Sequence, residues 1–218
     1  MMLQTGEKPH HYQKERLHIW EDIQDGIRYL QDNHRVRNAL IQLVILFSIF
    51  AALSVLAVRL AETLPHMKAD QFGFLLAAAG VGMAIGAWLM GTWGQQFSHI
   101  QLSLWGSVGM AVSLGGLSFF TNNLWLTLTM TILLGLFGAF VGVPMQTTIQ
   151  ADTPAAMRGK VFGLQNNAVN IALSLPLALA GIAETIFGLR PVLLGLGVLA
   201  IAGGWLTWYI GHQENSFY

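Results

Sequence analysis

The chain has 218 residues, of which 54% are hydrophobic and 10% charged, with no net charge and no cysteine. A soluble domain carries about 25% charged residues, so a water-facing globule is excluded. The absent cysteines remove disulfides, thiolate chemistry and Cys-based metal sites, and the neutral balance offers nothing to nucleic acid. Charge is also unevenly spread. Residues 1–37 hold six of the eleven Lys and Arg and six of the eleven Asp and Glu, and the long remainder shares five of each.

Residues 1–18 are polar and lack the apolar core of a signal peptide, so the first apolar span is expected to act as its own insertion signal. Ile19, Trp20, Ile23, Ile27 and Leu30 then recur at helical spacing, with Glu21, Asp22, Asp25 and Arg28 among the residues on the other face. This pattern predicts a cytoplasmic amphipathic helix, too polar to span, lying on a membrane surface or against protein. His34, Arg35 and Arg37 form a basic collar just before the lipid.

Six apolar stretches follow, near 38–60, 72–91, 100–120, 124–148, 161–186 and 191–210. Each approaches the ~20 residues that a membrane-crossing helix needs. The expected fold is therefore an all-α membrane protein with six transmembrane helices. Its expected parts are a cytoplasmic segment (1–37), the six-span bundle (38–211) and a cytoplasmic tail (212–218). Lys and Arg in the short loops set the orientation. The N-terminal segment, the loop 92–99 and the loop 150–160 together carry eight, and the opposite side carries Arg59, Lys68 and Arg190. Both termini are thus expected in the cytoplasm of a multi-pass inner or plasma membrane protein.

Membrane helices associate through close packing and polar contacts. Gly82 and Gly86, Gly138 and Gly142, and Gly159 and Gly163 are GxxxG pairs on the second, fourth and fifth spans, and further glycines thin the third and sixth. Pro144 and Pro176 fall inside spans, and Pro191 falls at the first turn of the last, where proline costs little.

The fifth span carries the densest polarity. Asn167, Asn170 and Ser174 fall at steps of three and four, and Asn166 and Gln165 lie beside them. A polar stripe facing lipid is costly. Asn166, Asn167, Asn170 and Ser174 are candidates for a substrate path, with interhelical hydrogen bonding as the alternative. Gln146 in the fourth span and Gln42 in the first join them as candidates, with the same alternative. Glu184, at the outer end of the fifth span, is a candidate proton carrier or a residue snorkelling to water. Arg59 and Glu62, three apart, can pair on one helix face. No HExxH, GxSxG or phosphate-binding loop is present. No enzyme, cofactor or metal site is expected.

Between the fourth and fifth spans the sequence reads DTPAAMRGKVFG, Asp152 to Gly163. Its Pro154, Arg158, Gly159 and Gly163 resemble the loop between the tenth and eleventh helices of major facilitator superfamily transporters, efflux permeases above all. EDIQDGIRYLQDNHRVRNAL is similar to the end of the linker before their seventh helix, and GFLLAAAGVGMAIGAWLMG resembles their eighth. The resemblance covers residues 20–210 and implies the C-terminal six-helix half of such a permease. Spans one, two, four and five would form one wall of an alternating-access path for a small molecule. It implies as partners the lipid bilayer and a six-helix N-terminal half or a second copy. The alternatives are a half-transporter that works only as a homodimer and a non-transporting truncated subunit. Carried over, the cytoplasmic gate residues are Asp152, Arg158 and Gly159, with a turn at Thr153–Pro154 bringing Arg158 back towards Asp152. The loop TWGQQFSH departs from the family by lacking its Asp-Arg-rich motif.

Overall fold

In a computed structural model, residues 23–65, 67–120 and 123–215 are described, and they are almost wholly helical with no strand among them. Six helices are long and apolar enough to cross a membrane: α1 (His34–Thr63), α2 (Gly73–Trp93), α3 (His99–Phe119), α4 (Leu124–Asp152), α5 (Arg158–Phe187) and α6 (Leu189–Asn215). They are the six predicted spans in order. Several are longer than the apolar runs that announced them. α1 begins at His34 rather than 38, α4 runs on from 148 to Asp152, and α6 continues past 210. Backbone hydrogen bonding does not stop where lipid stops. A 30-residue helix is about 45 Å long against a hydrocarbon core of about 30 Å, so polar turns project beyond it.

Local chemistry sets several helix ends. Ser98 caps α3, its hydroxyl accepting from the Gln101 amide, and the Asn123 carboxamide oxygen accepts from the Trp125 and Leu126 amides at the start of α4. Gly188 alone separates α5 from α6. Its φ of +82° is left-handed backbone open to glycine, and its N–H closes α5 on the Glu184 carbonyl at 2.8 Å. Pro191 follows in the first turn of α6, as expected, and Pro144 and Pro176 sit inside continuous helices.

α1 is the central post, packed against α4, α5 and α6, while α2 lies along α4 and α3 fills between α4 and α6. Ile49, Leu56, Leu114, Leu134, Ile149 and Leu193 are among the fully buried side chains. The α2–α4 seam depends on missing side chains. A Cβ on Gly82 would run into the Ile132 carbonyl, one on Gly135 into the Ala79 carbonyl, and one on Gly86 would lie 2.6 Å from the Leu136 carbonyl. Gly138 and Gly142 admit Phe50 and Leu46 of α1. Two of the three predicted GxxxG pairs therefore bring helices together. The third does not: among the described residues, nothing lies within 4 Å of a Cβ built on Gly159 or Gly163.

Before α1, residues 23–32 are helical; Ile19 and Trp20 of the predicted apolar stripe lie outside the described residues. Of the rest of that stripe Leu30 is buried, Ile23 partly so and Ile27 exposed. The segment is held by other contacts. Gly26 lies over the Lys160 carbonyl, the Tyr29 hydroxyl donates to the Asp152 carbonyl at 2.9 Å, and Lys160 Nζ meets Asp25 Oδ2 at 2.7 Å. His99 meets Thr148 at 3.0 Å. The pre-α1 segment, the α2–α3 loop and the α4–α5 elbow therefore share one end of the bundle, the grouping that the loop charges required.

Candidate functional site

α5 stands apart from the other five helices. It packs chiefly on α1, and 11% of its most apolar stretch is buried, against 50% for α1. Asn166, Asn167, Asn170 and Ser174 are all exposed on it. The Ser174 hydroxyl returns to its own helix, donating to the Asn170 carbonyl at 2.9 Å. Gly159 and Gly163 prolong this bare surface towards the elbow. Asn167, Asn170 and Ser174 thus share one exposed surface of α5, with Asn166 at its edge.

At the elbow end of this surface lies a cavity of about 380 Å³ between α1, α4 and α5. Four carboxamides line it, Gln146, Gln150, Gln165 and Asn166, together with Phe47, Phe162 and Val169. Gln165 Nε2 donates to Gln146 Oε1 at 2.7 Å, a bond from α5 to α4. That bond leaves Gln165 Oε1 sealed from solvent with no partner among the described residues. Gln146 and Asn166 are therefore brought together in one cavity wall. Gln165, which the sequence places beside the stripe with Asn166, sits between them.

Gln42 goes elsewhere. It is 3% exposed between α1, α3 and α6. Its Nε2 donates to Ser107 Oγ at 3.0 Å, and its Oε1 accepts from Thr207 Oγ1 at 2.5 Å. Its polar atoms tie three helices together, so the expectation that it lines the path is corrected to the interhelical role given as the alternative.

The elbow forms the predicted turn, with the Met157 and Arg158 amides closing on the Pro154 carbonyl at 2.9 and 3.1 Å. Arg158 does come back on the loop, but its Nε donates to the Thr153 carbonyl at 3.2 Å rather than to the Asp152 carboxylate. The Asp152 backbone is engaged by Tyr29 and the elbow's Lys160 by Asp25. The Lys160 ammonium, through its hydrogen bond and then its charge, holds the Asp25 carboxyl below the ordinary carboxylate range. A second polar cavity of about 320 Å³ lies at this end, inside the bundle, and includes Arg35, Asn38, His99, Thr148 and Asp152 in its lining.

At the opposite end Arg59 bridges two carboxylates. Its Nη1 meets Glu62 at 2.9 Å, the pair expected from spacing, and its Nε meets Glu184 at 3.3 Å. Glu184 is thus tied to α1. The nearby groove, about 480 Å³ between α1, α5 and α6, is almost wholly apolar, with Pro176, Phe187 and Leu199 in its wall.

The chain matches the model of a protein family described as transmembrane secretion effector, over residues 2–213. It belongs to that family, within the major facilitator superfamily. No curated protein and no solved structure matches it. Membership of this family, together with six apolar helices, gives the protein a transport role. The protein is a multi-pass membrane protein, surrounded by lipid and acting on a small molecule.

Proposed function

We propose that this secretion effector exports a small molecule by alternating access and that the chain supplies the C-terminal six-helix half. The observation that carries the reading is the bare polar face of α5. Asn167, Asn170 and Ser174 are exposed in the middle of a helix long and apolar enough to span. Polar groups at that depth face water or protein, not lipid. A second six-helix body, with a water-filled path between the two, supplies both. The cavity at Gln146 and Asn166 is then the elbow-side part of the path. Asp152, Arg158 and Gly159 form the gate at its cytoplasmic mouth, with both termini in the cytoplasm and the protein in the cell membrane. Glu184 would carry the coupling proton, and to do so it would have to leave Arg59.

The cysteine-free chain allows a direct test. Single cysteines at Asn167, Asn170 and Ser174 should react in intact cells with a water-soluble maleimide. A cysteine at Val198, exposed on α6, should not. Equal protection at all four positions would remove the path. The purified chain alone should show no substrate-specific flux in proteoliposomes, and robust uptake by the monomer would defeat the half-transporter reading. Crosslinking of two copies through Asn170→Cys would point instead to a homodimer.

A further inference from the structure

We infer that the cavity between α1, α4 and α5 takes a neutral, planar aromatic solute that presents a hydrogen-bond donor. This rests on the transport reading above and specifies its substrate class. The first support is charge. Among the described residues, no Asp, Glu, Lys, Arg or His lines the cavity. Along the helices, Asp152 lies about 9 Å beyond Gln146 and Lys160 about 8 Å beyond Gln165, at 1.5 Å per residue. Lys160 is engaged by Asp25. Glu184 lies about 28 Å from Gln165 along α5 and is paired with Arg59. An ion entering this wall would give up water and meet no countercharge, which is costly.

The second support is the open acceptor. Gln165 spends its amide nitrogen on Gln146, and its oxygen is buried with no donor. Buried acceptors in folded proteins are nearly always satisfied. Gln165 itself lines the cavity, so a small turn of its side chain presents this oxygen to an entering solute N–H or O–H, and a solute without one leaves the oxygen dry. The third support is shape. The rings of Phe47 and Phe162 belong to the lining, and rings prefer offset or edge contact with another aromatic. The volume of about 380 Å³ falls within the range of small-molecule sites.

Four probes sharing one ring system separate these terms: indole, 1-methylindole, tryptamine and indole-3-acetate. Saturable binding of each labelled probe is measured by equilibrium dialysis on the purified full chain in nanodiscs, with empty nanodiscs subtracted. Indole should bind about fivefold tighter than 1-methylindole, the worth of one neutral hydrogen bond, and tighter than either ion. Gln165→Leu should erase the difference between indole and 1-methylindole. So should Gln146→Leu, a second variant on a different helix. Asn166→Asp should shift preference towards tryptamine. Equal binding of indole and 1-methylindole, preference for an ion, no saturable binding, or a difference that survives both glutamine variants would each overturn the inference. None of these readouts uses flux, so failure here leaves the transport reading to its own labelling test.

Discussion

Gly82, Gly86 and Gly135 sit where α2 and α4 touch, and Gly159 and Gly163 sit on α5 with nothing within 4 Å of them. The first set is filled by the carbonyls and side chains of the neighbouring helix. Among the described residues, nothing fills the second. Small residues at four-residue spacing announce close approach, but the spacing does not say to whom. Where glycine meets a partner in the same chain, it closes a seam. Where it lies beside exposed asparagines, it marks a surface that no described residue of the chain covers.

The strongest way to break this comparison is to fill the seam. Gly82→Leu should abolish recovery of monodisperse protein in detergent, because the backbone of α4 cannot retreat from a leucine. Gly86→Ala should lower thermal stability by roughly 1–3 kcal/mol, the usual cost of overpacking. A normal melting profile for both would mean that α2 and α4 are not in contact. The next effect lies inside the bundle. Gln42→Leu removes the Gln42 partner of Ser107, while Thr207 keeps the Gly203 carbonyl, and should cost about 1–2 kcal/mol, with no loss of maleimide access at Asn170. A large change in access would put Gln42 back on the path.

The opposite sign is expected on α5. Gly163→Ala has room for its methyl and gains helix propensity, so it should stabilise the isolated chain by up to ~1 kcal/mol, read from the same thermal profile. Destabilisation would show that the face is already covered.

The smallest effect belongs to the elbow. Asp25 has its carboxyl lowered by Lys160, so the contact is complete above the ordinary value of 3.8 and is lost as the pH falls through the lowered one. Both side chains are partly exposed, so the change should be modest. Amide exchange over residues 23–32 should quicken below that range, and Asp25→Asn should show the quickened rate already at neutral pH. Identical exchange in both proteins would remove the latch.

The six crossings could be read in advance because lipid penalises charge above all, and runs such as Leu124–Thr148 carry none. The helix ends could not, since His34 and Gln150 stay helical by hydrogen bonding that hydropathy does not register. The candidate site divides in the same way. Asn166, Asn167, Asn170 and Ser174 declare one face by period alone, and the structure keeps them on it. Gln42 and Gln146 are the same residue type in apolar surroundings and cannot be told apart locally. One meets Ser107 and Thr207, 65 and 165 positions away, and the other meets Gln165 across the elbow. Asp25 and Lys160, 135 residues apart, gave no local signal at all.

Gly188 ties α5 to α6 through two Cα–Cα steps, about 7 Å, whereas the chain between Asp152 and Arg158 can stretch to about 20 Å. The ends of α5 and α6 at Gly188 cannot part, and α5 cannot slide lengthwise without dragging its neighbour. What stays open to it is leverage about that joint, like an oar in its lock. A small tilt there becomes its widest sweep at Arg158, beside Gln165 and Gln146.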